Sequence, residues 1–588
     1  MGEEPTFAVP DVAAERRDDG SWLLASRTPL GAVERSVATV LARWAAATPD
    51  APFLCERADG DGGATGGAWR RLSYGGAWDA ARAVGQALLD RGLGPDRPVM
   101  VLSGNGVDHG LVTLGCHAAG VPVVPVSVAY SLQSRDFAKL GQIAAVTRPG
   151  LVFVVGRTPF EPALDALAAA GCAAEVVDGA GALAATTPGP AVAAALAATG
   201  PDTVAKILFT SGSTGLPKGV VTTERMLCAN QQMLRRVWPF TAQEPVVLVD
   251  WLPWSHTFGG SHNFYLALWS GGTLHVDAGR PAPALLPHTL ANLREVSPTL
   301  YLNVPAGFAA LLPHLEDDPA LAERFFARLR FAMYAAAALP RDLWDRLDAV
   351  ARHTLGRPVP LTTAWGSTET APMATTAHFP LDGPGCIGVP VPGVRLKLAP
   401  VDGGRKLELR VAGPNVTPGY LGDPERTAAA FDAEGFYAMG DAGRFLDPDR
   451  PEAGVVFDGR VAEDFKLATG TWVSVGAVRT HLVGAGGGAI QDAVLTGQDR
   501  AELGALVWLS PAGDLAALRT AVGKHNAEHP QSSTRIARAL VLTEPPSIDG
   551  HEITDKGYVN QRAVLDRRAA DVAHLHAEPP GPGVVTFG

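Results

Sequence analysis

The chain has 588 residues, 47% of them hydrophobic and 19% charged, with a formal net charge of −11 at pH 7. Such a length exceeds what one hydrophobic core serves, so two or more domains are expected, and the composition is that of a globular chain. The acidic balance argues against a general nucleic-acid-binding surface, and the scattered Cys55, Cys116, Cys172, Cys228 and Cys386, with no CxxC pair, fit a reducing, cytoplasmic compartment rather than a disulfide framework or a zinc site.

The first twenty residues, MGEEPTFAVPDVAAERRDDG, are polar and acidic and do not have the pattern of a signal peptide. SVATVLARWAAATPD (36–50) has helical spacing and ends at a turn; SYGGAWDAARAVGQALLDRGL reads as a second helix and RPVMVLSG as a buried strand. GLVTLGCHAAG followed by VPVVPV repeats helix then strand, and LVFVVG adds a strand. Pro and Gly interrupt these apolar windows, so none is expected to span a membrane. Alternation at these lengths points to parallel sheets with helices on their faces. Residues 171–202, rich in Ala and Gly, read as a variable surface region. Beyond about Pro390 the pattern changes to short strands (VRLKLAPV, KLELRVAG, GVVFDGR), and after Arg460 strands and helices mix again (AVLTGQ, ALVWLS, LAALRTAVGKHNAE, ALVLTE). The main boundary is expected at 460–464, giving domains 1–460 and 461–588.

LFTSGSTGLPKGVV (208–221) follows the strand candidate AKILFT. A Gly/Ser/Thr loop after a strand can turn successive N–H groups inward as an anion-binding nest. Here Thr210, Ser211, Gly212, Ser213, Thr214 and Gly215 would form the nest, with Lys218 adding a positive charge. It is neither a Walker A loop, since GxxxxGK[ST] is absent, nor the GxSxG of a nucleophile elbow.

The order T-S-G-S-T-G-x-P-K-G resembles the phosphate loop of the adenylate-forming superfamily: acyl-CoA synthetases, luciferases and peptide-synthetase adenylation domains. Further segments resemble that superfamily's motifs in the same order. WLPWSHTFGG (251–260) is similar to the segment that borders the acyl pocket, which His256, Phe258 and Ala371 would line, with Trp254, Phe258 and Trp365 as aromatic wall or plain core. MYAAAAL (333–339) stands where a small-residue loop meets adenine, with Ala335 and Ala336 in place of the usual Gly or Ser. TAWGSTET (363–370) is similar to the motif that places Trp365, Gly366 and Ser367 beside AMP, Thr368 on the α-phosphate and Glu369 on Mg²⁺. FYAMGD (436–441) resembles the segment whose Asp, here Asp441, accepts both ribose hydroxyls. FDGRVAEDFKLATGTWVSV (457–475) resembles the hinge region, with Arg460 reaching the ribose or Asp441, Ala462 at the pivot, and Lys466, Gly470 and Trp472 on a face toward the CoA thiol. EITDKGYVNQ (552–561) resembles the segment of the catalytic lysine, Lys556.

The residue types suit that chemistry. ATP and a carboxylate repel each other, so cationic groups must screen the attack on the α-phosphorus. Glu369 is a hard oxygen ligand of the kind Mg²⁺ takes; Asp441 can accept two hydroxyl donors; and Arg460 presents a rigid fork. His256 is expected as a gate or wall rather than a general base, since a carboxylic acid is already ionised at pH 7.

The resemblance implies a large N-terminal α/β domain of doubly wound sheets with a β-barrel-like subdomain, and a small mobile α+β C-terminal domain. It further implies an acid–CoA ligase using ATP, Mg²⁺ and CoA on a small carboxylic acid. LSGNGVDHGLVTLGCHAAGVPVVPVSVAYSLQSRDFAKL, GRVAEDFKLATGTWVSVGAVR and DKGYVNQRAVL resemble feruloyl-CoA synthases, which implies a hydroxycinnamic acid such as ferulate. Another aromatic or medium-chain acid, an amidase-type hydrolase or a binding protein with a decayed site are the alternatives. Oligomeric state stays open.

Overall fold

The computed structural model describes residues 6–58, 67–211, 217–404, 406–511, 513–553 and 559–587. The expected alternation of helix and strand is present. Ser36 caps the helix Val37–Ala47 by accepting from Thr39 N, and Ser73 caps Tyr74–Asp90 by accepting from Gly76 N, each pairing a donor that the first turn leaves orphaned. The third helix, Val107–Ala119, starts before the apolar run GLVTLGCHAAG that announced it and ends where Gly120 takes a left-handed φ of 65°. It lies so close to Tyr74–Asp90 that a Cβ on Gly115 would sit 2.3 Å from Val84 Cγ1.

A six-stranded sheet runs in the order Pro217–Thr223, Val204–Ser211, Val123–Pro125, Val99–Val101, Leu151–Val154, Glu175–Asp178. All its pairings are parallel except the first, which is antiparallel. That antiparallel pair carries the phosphate-loop sequence, with Ser211 opposite Pro217 where the strands meet the loop. A four-stranded sheet (Val247–Asp250, Thr273–Val276, Pro52–Arg57, Trp69–Ser73) supports the segment leading to His256. The antiparallel strands expected as a barrel-like subdomain form one end of an eleven-stranded sheet. They run from Val12–Arg16 through Arg395–Val401, Lys406–Ala412, Tyr437–Phe445 and Val455–Arg460, and the sheet continues into the parallel strands Leu361–Gly366, Phe331–Tyr334 and Leu300–Asn303.

The Ala-rich stretch 171–202 lies largely at the surface, as expected, but reaches the core at a few positions. Glu175–Asp178 is the edge strand of the six-stranded sheet, and Ala180, Leu183 and Val192 are buried. The helix Pro190–Ala198 comes against Gly85, where an added Cβ would meet Val192 Cγ2 at 3.0 Å. Small side chains on both surfaces allow that contact.

The residues after Arg460 have cores of their own. A sheet of Ile490–Thr496, Leu503–Leu509, Ile536–Val541 and Val584–Thr586 packs against helices Val475–Ala485 and Leu515–Glu528 through Phe465, Val478, Leu482, Leu495, Leu518 and Val522. Among the described residues no helix is long and apolar enough to cross a membrane. One buried ion pair fixes the base of the segment toward the C-terminus. Glu552 is fully buried and accepts from Arg568 Nε at 2.6 Å and Nη2 at 3.0 Å. Removing Arg568 leaves Glu552 the more distant Arg567 Nε, at 3.7 Å, as its cation, so Arg568→Met is expected to destabilise the C-terminal residues by about 3 kcal/mol. Urea unfolding of the two proteins checks this, and a loss below about 1 kcal/mol would show that the pair does not anchor the segment.

Candidate active site

The site is assembled where the antiparallel pair Val204–Ser211 and Pro217–Thr223 meets the turn after Leu361–Gly366 and the strand Tyr437–Phe445. Gly366 permits the turn, since a Cβ there would lie 1.8 Å from Pro372 O. Ser367 then caps the short helix Thr368–Thr370 by accepting from Glu369 N at 3.2 Å, while its own N–H donates to Thr370 Oγ1 at 2.9 Å. Thr368 and Glu369 are buried as a result.

Glu369 is the hub. Its Oε1 lies 3.0 Å from Lys218 Nζ and accepts from Tyr420 OH at 3.0 Å. Lys218 Nζ donates to Tyr420 OH at 2.9 Å and sits over the tyrosine ring, and Tyr420 OH pairs with Tyr437 OH at 2.9 Å. Burial alone would raise the Glu369 pKa; the ammonium of Lys218 and the hydrogen bonds outweigh it and hold the carboxyl at about 2. The carboxylate is therefore ionised and aligned before any ligand binds. A single carboxylate of this kind, completed by phosphate oxygens and water, suits Mg²⁺, and among the described residues no cluster of three or more metal-ligating side chains offers an all-protein site. Thr210 Oγ1 is buried and has no hydrogen-bond partner among the described residues. Gly212, Ser213, Thr214 and Gly215 lie outside the described residues.

Tyr420, Tyr437, Thr417 and Asn415 are absent from the sequence expectations. Thr417 N donates to Glu369 O at 2.8 Å and Thr417 Oγ1 to Val221 O at 2.7 Å; Leu421 N donates to Gly219 O at 2.8 Å. Fully buried Asn415 Nδ2 donates to Thr370 O and Met373 O. The segment 415–421 is thus a strap between the phosphate-loop arm and the Glu369 turn.

On the neighbouring face Asp441 is buried, and its two oxygens are not equivalent. Oδ2 accepts from Trp365 Nε1 at 2.9 Å, so Trp365 is an orienting group rather than plain wall or core. Oδ1 lies 3.0 Å from Arg460 Nε in an ion pair that is not aligned as a hydrogen bond, so Oδ1 accepts none. Both oxygens were expected to serve a ribose; in the structure Oδ2 already has a hydrogen-bond donor and Oδ1 faces the Arg460 guanidinium. Burial raises the Asp441 pKa, against the pull of Arg460. Ala335 and Ala336 follow the strand Phe331–Tyr334; Ala336 takes φ 72°, a left-handed conformation that costs a non-glycine residue about 1–2 kcal/mol.

His256 is buried at the start of a turn that becomes a π-helix over Phe258–Asn263. Gly259 and Gly260 are required there, because Cβ atoms would lie 2.2 Å from Leu252 O and 2.1 Å from Trp254 O. Lys206 Nζ donates to Gly260 O at 2.6 Å, and Gln231 Nε2 donates to Ser261 O and His262 O, satisfying carbonyls of the irregular turn. Trp254 packs on His109 and Phe264 as core; Phe258 is half-buried, and Ala371 is buried with φ 64°. The segment before His256 also lines a cavity of about 470 Å³ with Ser103, Val126, Gln133 and Asp277, room for a small ligand.

Lys466, Gly470 and Trp472 share one small hairpin, Lys466 Nζ lying 5.2 Å over the Trp472 ring and Gly470 taking φ 81° in the turn. Ala462 is exposed, while Asp464 beside it is ion-paired to Lys406 and accepts from Val475 N. Lys556 lies outside the described residues. Its flanks are held: Ile553 bridges Val559, and Asn560 N donates to Glu552 O at 2.8 Å. Upstream, Asp549 accepts from Ser134 Oγ at 2.8 Å and from Arg135 N at 3.1 Å, and Lys139 Nζ donates to Ile548 O.

Comparison with known proteins gives one consistent result. The family model described as AMP-binding enzyme matches residues 41–421. A benzoate–CoA ligase of Thauera aromatica is 31% identical over 455 residues, covering 74% of this chain and 80% of that protein. The crystal structure of ATP-bound MatB from Rhodopseudomonas palustris superimposes with a TM-score of 0.69 at 23% identity, over 91% of this chain and 99% of that one. The A-PCP didomain of a carboxylic acid reductase from Segniliparus rugosus, in complex with AMP, gives a TM-score of 0.73 at 20% identity, over 93% and 83%.

The Glu369 carboxyl carries a stability signature. Because its folded pKa is depressed from 4.5 to about 2, its contribution is complete above pH 4.5 and is lost as pH falls toward 2. The stability gap between wild type and Glu369→Gln is expected to be constant from pH 7 to 5 and to shrink at pH 4 and below. Urea unfolding across that range checks it; a gap that widens on acidification would contradict the ion pair with Lys218.

Proposed function

The chain belongs to the AMP-binding enzyme family as an AMP-forming acid–CoA ligase, and from that premise we propose that its acid is aromatic, of the hydroxycinnamate class to which ferulate belongs. ATP, Mg²⁺ and CoA are its companions in the reaction. The observation that carries the assignment of the site is the meeting of Lys218, Glu369 and Tyr420, three residues far apart in sequence, beside a buried Asp441 with one unbonded oxygen. The aromatic class is supported by the resemblance of the sequence to feruloyl-CoA synthases and by the aromatic ring of Phe258 next to His256.

In this reading Thr210 and Lys218 take the β- and γ-phosphates, Thr368 donates to the α-phosphate and Asp441 Oδ1 accepts a ribose hydroxyl. Ala335, Ala336, Gly366 and Ser367 border the nucleotide. Glu369 would hold the Mg²⁺, which neutralises phosphate charge when bound. Lys218, already 3.0 Å from Glu369, then transfers its pairing from the carboxylate to phosphate oxygens without leaving the site. The acid's carboxylate attacks the α-phosphorus, pyrophosphate leaves, and Lys556 donates to the oxygens on which charge accumulates. The CoA thiol next attacks the acyl carbonyl and AMP leaves. His256 and Phe258 wall the acyl group, and Lys466, Gly470 and Trp472 face the thiol. We place the domain boundary at 460–461, because the hydrophobic clusters after it are built from residues 465 onward.

Lys556→Ala is expected to lower adenylate formation by at least about a hundredfold, in the range of a lost oxyanion donor, while thioester formation from supplied acyl-AMP stays near wild type. Single-turnover measurement of each half-reaction checks it, and equal losses in both would remove Lys556 from its place on the carboxylate. The acid is read by screening CoA ligation of ferulate, coumarate, caffeate, benzoates and medium-chain acids. Preference for a medium-chain acid would overturn the aromatic assignment and leave the ligase intact.

A further inference from the structure

The π-helical turn that begins beside His256 ends in an unusual concentration of unbonded polar atoms. His262 is 1% exposed, and its Nδ1 is 2.8 Å from Asn263 Oδ1. The orientation of that amide is fixed from the other side: Asn263 Nδ2 donates to Asp250 Oδ2 at 3.0 Å, and Asp250 Oδ1 accepts from Leu252 N. Burial raises the Asp250 pKa to about 7; with Asp250 ionised, Asn263 turns its oxygen to His262, the imidazole proton sits on Nδ1, and Nε2 is a bare acceptor. Burial pushes the His262 pKa down to about 4, so the ring is neutral at pH 7. Nε2 has no partner among the described residues, and neither has the indole N–H of fully buried Trp238, whose ring meets His262 edge-on at 5.8 Å. Gln231 Oε1 and Ser261 Oγ, on either side of the same turn, are also unbonded. Each such group would cost about 1–3 kcal/mol if left empty.

Their position relates them to the acid. Phe258 packs edge-on against His262 at 5.6 Å, and six residues of helix place His262 no more than about 9 Å from His256 along the axis. His262 thus lies in contact with Phe258, one of the residues assigned above to the wall of the acid.

We propose that His262 and Trp238 read a hydroxyl group at the far end of the acid, the hydroxyl donating to His262 Nε2 and accepting from Trp238 Nε1–H. One O–H group satisfies both orphans, which a hydrogen, halogen or methyl substituent at that end cannot do. The inference rests on the aromatic-acid reading above and adds to it the substituent that is recognised: a phenolic hydroxyl distal to the carboxylate.

The test compares CoA ligation of 4-hydroxycinnamate with that of unsubstituted cinnamate by the full-length enzyme. The wild type is expected to favour the hydroxylated acid by at least about tenfold in kcat/KM, the scale of one buried hydrogen bond. His262→Phe, which removes the acceptor and keeps the ring, should bring the ratio near one by lowering kcat/KM for the hydroxylated acid. His262→Gln, which restores an acceptor, should recover part of the preference, and Trp238→Phe should reduce it by removing the donor. Thermal melting shows which variants fold; if His262→Phe does not, the Gln and Trp238→Phe proteins decide. A wild type that does not discriminate between the acids, or variants that keep the wild-type ratio, would mean that only buried water bridges the two groups, and would overturn the proposal. Turnover of other acids in that case leaves the ligase assignment standing, whereas absence of AMP formation with every acid would remove the assignment itself.

Discussion

The contact between Lys218 and Glu369 is the constraint on which the site depends. A buried carboxylate is costly unless a cation and hydrogen bonds satisfy it. Here the cation comes from the arm of the phosphate loop and the second hydrogen bond from Tyr420 on another segment. Each partner is held by main-chain bonds: Lys218 by the antiparallel pair with Thr210, Glu369 by the Ser367 cap, and Tyr420 by its pairing with Val220. Bringing these three segments together also fixes the strand that carries Tyr437 and Asp441. The Lys218–Glu369–Tyr420 cluster and the buried Asp441 thereby share one scaffold.

The same logic explains why the charge is placed before the ligand arrives. An ammonium 3.0 Å from the carboxylate already balances its charge. The carboxylate stays ionised because that ammonium is present, so its capacity to take a divalent cation does not wait on a titration. Preorganised charge of this type needs little rearrangement at the moment of reaction, which is where electrostatic catalysis gains most.

Much of this was legible in the sequence because it lies in short runs with a local reason. Ser/Gly loops after strands, a capped Glu turn and a strand-borne Asp each declare themselves within ten residues. Tyr420, Tyr437, Asn415 and Thr417 do not, since their partners are chosen by tertiary pairing across segments with no common spacing. Trp365 was seen, but its role was not: only the fold shows that its N–H occupies one oxygen of Asp441. Residues 171–202 read as surface and largely are; the few positions that reach the core, such as Val192 against Gly85, are not announced by an alanine-rich run with no clear amphipathic period. His262 stood in an apolar context where a structural histidine is the ordinary reading. Its tautomer and its lack of a partner follow from Asp250 and Asn263, which sequence alone does not connect to it.

The acid end and the nucleotide end meet at the reacting carboxylate, and the fate of its oxygen is the most direct report on the chemistry. With an acid labelled with heavy oxygen in its carboxylate, attack on the α-phosphorus followed by thiol displacement must leave one labelled oxygen in AMP and none in pyrophosphate. Mass spectrometry of the products after CoA ligation measures this. Among the phosphate products, label in AMP alone is the expected result, with the other labelled oxygen retained as the thioester carbonyl; unlabelled AMP, or label in any other phosphate product, would contradict adenylate formation at the Lys218–Glu369–Asp441 site.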